Sequence, residues 1–216
     1  MPRYKIDYGR KIIEINAYMR FDMSTIYLIR HGESMANAGQ VTYGSDTIHL
    51  TPLGEEQAAG VPSRLPDKID HIIHSTYIRT KETAAPTIEA HPTAPVSEWA
   101  SAREFSYLDP EKCMGTNLED RKPMVEEFWN TNDAFLQVHP QSESFEQFIA
   151  RVKETDRRLR EDFGGARKTV ALFTHALFMK AFFQVQEQPN TPVQKLMNEF
   201  FDCPVIHNCD IFTIEV

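Results

Sequence analysis

The sequence predicts an α/β protein, a three-layer α/β/α sandwich with a mostly parallel central sheet. Three observations carry this expectation. Short β-branched and aromatic runs alternate with stretches of helical spacing, a pattern that builds a parallel sheet covered on both faces. Thr25-Ile26-Tyr27-Leu28-Ile29 is apolar almost throughout, as a strand buried on both sides is. The 216 residues contain no internal repeat, low-complexity tract or linker, so one domain is expected.

The elements follow in order. Thr25–Ile29 is a strand that runs into a turn at Arg30-His31-Gly32. A helix opens after Thr51, with the threonine as N-cap and Pro52 at the first helical position. Ile69–Ser75 reads as a second strand, and Thr76–Ala85 as a helix that bends or ends near Pro86. Ala94–Trp99 reads as a third strand. Ser101–Lys122, interrupted by Pro110 and Gly115, reads as a long loop before a helix over Val125–Phe135. Ser144 and Gln147 form a capping box that opens a helix. Its residues Phe145, Phe148, Ile149, Val152, Leu159 and Phe163 fall at helical spacing, and Gly164-Gly165 closes it. Thr169–Thr174 is the clearest late strand, a helix follows over Ala176–Gln186, and Ile211–Val216 reads as a final edge strand.

Composition removes several function classes. A net charge of −8 argues against a nucleic-acid surface, which needs a basic stripe. No apolar window is long enough to span a membrane, and Met1–Asp22 lack the continuous apolar core of a signal peptide. Cys113, Cys203 and Cys209 are odd in number, widely spread and without zinc-ligand spacing, which suits a reducing, cytoplasmic compartment. Neither a metal nor a cofactor is expected, and oligomeric state leaves no readable signal. An acidic protein still binds an anion where its cations converge.

In parallel sheets ligands sit beyond the carboxyl ends of the strands. Arg30-His31 ends the first strand, Arg79 follows the second, and His175 follows the late one. Singly, each has an ordinary reading. A strand-end histidine packs or faces solvent, Arg79 beside Lys81 and Glu82 belongs to a solvated face, and His175 bonds a nearby carbonyl. If the three strands are neighbours, two guanidiniums and two imidazoles point into one crevice and suit a phosphoryl group, whose oxygens match arginine's forked donors. The set supplies no carboxylate cluster for a metallohydrolase.

The segment Leu28-Ile29-Arg30-His31-Gly32-Glu33-Ser34-Met35-Ala36-Asn37 resembles the signature of the histidine phosphatase superfamily, which includes the cofactor-dependent phosphoglycerate mutases. The resemblance continues in order through Leu50-Thr51, Gly54 and Gln57-Ala58, then Ser75, Arg79-Thr80 and Thr83-Ala84. It extends through Glu143-Ser144 with Arg151-Val152 to Phe173-Thr174-His175, which implies a single domain over residues 23–216 and leaves residues 1–22 outside it as an N-terminal extension. It implies His31 as the nucleophile, with Arg30, Arg79 and His175 on the phosphoryl oxygens and Asn37 as a further donor. It places the proton donor after the third strand, at Glu104, with Glu98 in the strand itself as the competitor. Ala176 stands where the family usually has glycine, a mild departure unless that backbone needs a positive φ.

The implied reaction is metal-independent hydrolysis of a phosphate monoester through a phosphohistidine. A neutral imidazole attacks well when its other N–H is held, here by a carbonyl in the Gly32 turn, and the nearby arginines keep His31 neutral. His175 serves best protonated, as an oxyanion donor. The general acid protonates the leaving alkoxide and then takes a proton from water. Between Glu104 and Asp133 there is no counterpart of the insertion that mutases use for phosphoglycerate, which favours a phosphatase over a mutase. A non-catalytic phospholigand-binding module is disfavoured because a binding pocket needs no nucleophile. The expected partner is a small phosphorylated substrate, with a phosphoprotein left open and neither nucleic acid nor membrane. Ser106–Pro123 and Val125–Phe135 are expected to cover the pocket, with two of Tyr107, Phe128 and Trp129 packing in the core.

Overall fold

The computed structural model describes residues 23–216 in full and the backbone of residues 3–7 and 12–16. Those two pieces, β1 (Arg3–Asp7) and β2 (Ile12–Asn16), pair antiparallel with Arg3 opposite Asn16. The rest of the extension expected over residues 1–22 lies outside the described residues.

The central sheet has five strands: β3 (Thr25–Arg30), β4 (His71–His74), β5 (Val96–Glu98), β6 (Thr169–Thr174) and β7 (Ile211–Glu215). Their order is β5-β4-β6-β3-β7, with every neighbouring pair parallel except β7, which runs antiparallel at the edge beside β3. The expected edge strand is therefore present. Side chains alternate across the sheet. Ile26, Leu28, Ile73, Val170 and Leu172 join one core with Phe145, Phe148, Phe178 and Phe182. Ile29, Ile72, Ala171 and Phe173 join the other with Val61, Leu65 and Ala84. Both faces are covered, which is why β3 and β6 read as continuous apolar runs rather than alternating ones.

Helices α1 (Pro52–Ala59) and α2 (Ile78–Ala90) lie between β3 and β5 in the chain. The Thr51 side chain accepts from the Gly54 N–H, as the N-cap reading requires. Here the backbone packs closely: a Cβ on Gly54 would lie 2.0 Å from the Glu33 carbonyl oxygen, and one on Gly32 would lie 2.5 Å from that of Gly54. The first turn of α1 is thereby laid directly on the chain that follows His31.

Two expectations need correction. Helix α2 does not end near Pro86 but continues to Ala90, because Thr83, Ala84 and Thr87 are buried and their packing outweighs the one bond proline cannot donate. Residues 101–122 are not one loop. A 3-10 turn spans Ala100–Ala102, helix α3 spans Pro110–Cys113, and α4 runs over Leu118–Asn130, earlier than the expected Val125–Phe135. Pro123 sits inside α4, and the start signal is a capping box between Asn117 and Asp120. Helix α5 (Phe145–Phe163) opens on the Ser144–Gln147 box as expected, and α6 (Ala176–Glu187) follows β6. A short helix α7 (Val193–Asn198) was not anticipated. Among the described residues no helix is long and apolar enough to cross a membrane.

Candidate active site

Because β4, β6 and β3 are adjacent, their carboxyl ends deliver Ser75, His175 and Arg30-His31 to one place, and the first turn of α2 adds Arg79. His31 extends the ladder through its N–H to the Thr174 carbonyl at 3.0 Å. Its Nδ1 lies 2.7 Å from the Gly32 carbonyl oxygen. A carbonyl only accepts, so Nδ1 carries the hydrogen and Nε2 keeps its lone pair. Arg79 Nε donates to that lone pair at 3.2 Å, and another Arg79 nitrogen donates to the Ser45 carbonyl at 2.6 Å. The guanidinium lies over the Tyr77 ring, 4.7 Å from its centroid. Arg79 is buried, so the solvated-face reading does not hold.

Arg30 donates to the Ile206 carbonyl at 2.7 Å, while its buried Nε has no hydrogen-bond partner among the described residues. His175 is fully buried, with Nε2 2.8 Å from Ser75 Oγ and its ring centroid 5.2 Å from that of His31. Its Nδ1 is buried without a partner among the described residues. Burial pushes both histidines well below the ordinary value of 6.5, and Arg79 acts in the same direction on each. Both rings are therefore neutral near pH 7. Ala176 begins α6 and is not among the residues of positive φ, so alanine costs nothing where the family usually has glycine.

Asn37 is exposed beside this group. Its Oδ1 accepts from the Ser34 N–H at 3.2 Å and Ser34 Oγ at 3.0 Å, so the amide nitrogen points elsewhere as a donor. Asn208, which no sequence motif marked, donates to the His31 carbonyl at 3.0 Å and to Asn37 Oδ1 at 3.3 Å. The only hint to it was its place shortly before the edge strand that pairs with β3.

Glu104 and Glu98 separate clearly. Glu98 is exposed and paired with Lys81 at 2.6 Å, a bond that lowers its carboxyl from the usual range. Glu104 lines the cleft described below and accepts from the N–H groups of Phe105 at 3.0 Å, Phe178 at 3.1 Å and Leu177 at 3.2 Å. It thus caps the start of α6, where the His175 side chain makes no cap bond. Burial raises its carboxyl above the ordinary value, against the opposing pull of these N–H groups and Arg79. Glu143, a buried carboxylate, is neutralised by Arg103 at 2.6 Å and Arg151 at 2.7 Å. Arg151 also donates to the carbonyls of Ser101, Arg103 and Glu104, so the Glu143–Arg151 pair holds the segment that carries Glu104.

A cleft of about 540 Å³ opens here, lined at its inner end by Tyr77, Arg79 and Glu104 and farther out by Tyr43, Tyr107 and Met114. Its size suits a phosphate with an organic substituent. Of the three candidate pocket aromatics, Tyr107 lines the cleft, whereas Phe128 is core and Trp129 stacks on Phe200 at 5.4 Å. Among the described residues no cluster of histidine, cysteine or carboxylate side chains has the makings of a metal site.

Comparison with known proteins gives the family and the fold. A Schizosaccharomyces pombe protein named as a probable phosphatase is 35% identical over 101 residues, 46% of this chain and 47% of that one, so the chain spans less than half of this relative. Arabidopsis thaliana phosphoglycerate mutase-like protein 4 is 23% identical over 90% of this chain and 85% of its own length. A mycobacterial glucosyl-3-phosphoglycerate phosphatase, solved with VO3, superposes with a TM-score of 0.70 over 88% of this chain and 90% of that one, at 22% identity. At that identity the likeness is one of fold. The profile of the histidine phosphatase superfamily (branch 1) matches residues 26–211, and the chain belongs to that superfamily.

Proposed function

We propose that the protein is a metal-independent phosphatase that hydrolyses a phosphate monoester through a covalent phosphohistidine on His31. The observation that carries this reading is the fixed tautomer of His31: Nδ1–H is committed to Gly32, and Nε2 presents its lone pair beside Arg79. As the phosphoryl group enters, Arg79 exchanges its bond to Nε2 for bonds to phosphoryl oxygens, which frees the lone pair for attack on phosphorus. Arg30, with its unpartnered Nε, and the Asn37 amide are further donors to those oxygens. Glu104, its carboxyl raised by burial, gives its proton to the leaving alkoxide and then takes one from the water that cleaves the phosphohistidine.

Names borne by relatives support hydrolysis, including the S. pombe and mycobacterial phosphatases. The Arabidopsis mutase-like relative favours a second reading, transfer to another hydroxyl of phosphoglycerate. The unbridged thiols of Cys113 and Cys209 support a cytoplasmic location. The test is turnover of an aryl phosphate with EDTA present, together with trapping of acid-labile phosphate on the protein. Wild type is expected to be active and labelled. His31→Ala is expected to lose at least about 10⁴-fold in kcat, as removal of a nucleophile does. Activity that survives that substitution, or that EDTA removes, refutes the mechanism. Release of all label to water rather than to phosphoglycerate separates phosphatase from mutase.

A further inference from the structure

Three short contacts around His175 fix where its protons lie. Thr80 Oγ1 is 2.7 Å from the Tyr77 carbonyl oxygen, Ser75 Oγ is 2.9 Å from Thr80 Oγ1, and His175 Nε2 is 2.8 Å from Ser75 Oγ. Each such approach needs one hydrogen between the heavy atoms. Neither the Tyr77 carbonyl nor the Ser75 carbonyl, 3.1 Å from Thr80 Oγ1, has a hydrogen to give, so the Thr80 hydroxyl spends its hydrogen on these carbonyls. Thr80 then meets the Ser75 hydroxyl only as an acceptor, so the Ser75 hydrogen points at Thr80. The Tyr77 N–H also donates to Ser75 Oγ, at 3.2 Å. Ser75 has no hydrogen left for the imidazole, and the one in the last contact belongs to His175 Nε2.

We propose, building on the phosphatase reading above, that Thr80 and Ser75 are positioning residues that hold resting His175 as its Nε2–H tautomer. Its buried Nδ1 is then a bare lone pair until a phosphoryl group arrives together with one proton. The two histidines are opposite tautomers. His31 is protonated on Nδ1 with Nε2 bare, and His175 is protonated on Nε2 with Nδ1 bare. For His31 the bare nitrogen is what attack requires. For His175 it faces the wrong way electrically, because a lone pair opposes a phosphoryl oxygen. The ring becomes a donor when Nδ1 takes a proton from solvent, giving an imidazolium held by the dianion on one side and Ser75 on the other.

The resting ring is kept neutral by what surrounds it. His31 and Arg30 face it from the end of β3, Arg79 and Tyr77 from the start of α2, Arg151 with its partner Glu143 from α5, and Glu104 from the segment after β5. Burial and the three arginines disfavour its charged form. An incoming dianion reverses that balance.

The test is calorimetric binding of sulfate at about pH 7 in buffers of different ionisation enthalpy; sulfate has no titratable proton there, so any proton taken up belongs to the protein. Wild type is expected to take up about one proton per sulfate bound. In Thr80→Val the Ser75 hydrogen is released to His175 Nε2, the ring flips to Nδ1–H, and uptake falls toward zero. Thr80→Ser restores it. The valine variant is expected to fold, since the Tyr77 carbonyl still accepts the Thr80-position N–H at 3.0 Å and the Ser75 carbonyl still accepts from His74 Nδ1 at 2.8 Å. Nitrogen NMR of the histidines reads the same switch without ligand. Sulfate binding by wild type without proton uptake, or equal uptake by Thr80→Val, overturns this proposal alone. Failure of wild type to bind sulfate removes it together with the phosphatase reading.

Discussion

At the strand ends, His31, Arg79 and His175 are buried and held by backbone carbonyls, hydroxyls and each other, with bonds of 2.6–3.2 Å. The segment over the cleft is held differently. There α3 and α4 are pinned to the chain after His31 by Arg121, which donates to Thr42 Oγ1 at 2.6 Å and to the carbonyls of Thr116 at 2.8 Å and Cys113 at 3.0 Å. Tyr43, Met114 and Leu118 remain exposed on or beside it. The floor spends its structure on fixing protons and charges, which every phosphoryl transfer needs. The cover leaves side chains free, which only a particular leaving group could use. Changes in the floor should therefore act on all substrates alike, and changes in the cover should discriminate among them.

Glu104 belongs to both regions, so it tests the division most severely. Glu104→Gln keeps an oxygen for the α6 N–H groups but has no proton to transfer. Loss of about 10²–10⁴-fold in kcat is expected for alkyl phosphates, whose alkoxide must be protonated to leave. Activated aryl phosphates, which leave unaided, should lose far less. Equal losses on both would assign Glu104 to the cap of α6 alone.

A steric change in the floor comes next. Gly54→Ala sets a Cβ 2.0 Å from the Glu33 carbonyl oxygen, a backbone atom with little room to move. The expected cost is about 1–3 kcal/mol in urea unfolding, with kcat lowered by the same factor for aryl and alkyl substrates. Wild-type stability in this variant would show that α1 can shift away from the His31 turn and that the floor is less rigid than its contacts imply.

The same contrast explains what could be read from residues alone. The floor was legible because its parts are local: an apolar run ending in Arg30-His31, a Thr-Pro helix start, a Ser–Gln capping box. Strand-helix alternation predicted the parallel sheet, but the order β4-β6-β3, which brings Ser75, His175 and His31 together, is visible only in the structure. The cover was misread because Pro110, Gly115 and Pro123 punctuate it, while the Asn117–Asp120 box that starts α4 is a weaker signal than the Ser-Gln form. Asn208 and the Ser75–His175 contact escaped because they depend on long-range placement that no spacing encodes.

Acid should expose the floor through stability. Both histidines are held below 6.5 in the folded chain, so on acidification the unfolded chain binds protons first. Stability is then fully present above 6.5 and is lost as pH falls from 6.5 toward the folded values. Glu104 has the opposite sign: its raised carboxyl withdraws stability as pH rises above the ordinary carboxylate value of 4.5. Urea melts at stepped pH should show the histidine loss, and a double variant, His31→Asn with His175→Asn, should flatten it. An unchanged slope in that variant would mean that neither ring is held neutral.

The smallest effects belong to the cover. Tyr43 and Met114 line the cleft yet are 74% and 59% exposed, so each gives the fold little. Truncating either to alanine should change stability by no more than about 0.5 kcal/mol. A leaving group large enough to reach them would bury apolar surface on both side chains. Removing one then costs about 1 kcal/mol of binding, a few-fold rise in KM, at roughly 25 cal/mol per Å². A compact phosphate such as phosphoserine does not extend that far, and its KM should stay put, with kcat unchanged in both cases. If KM instead rose equally for compact and bulky esters, Tyr43 and Met114 would be acting on Arg79 through the Ser45 carbonyl it bonds, and the boundary between floor and cover would have to be drawn farther out.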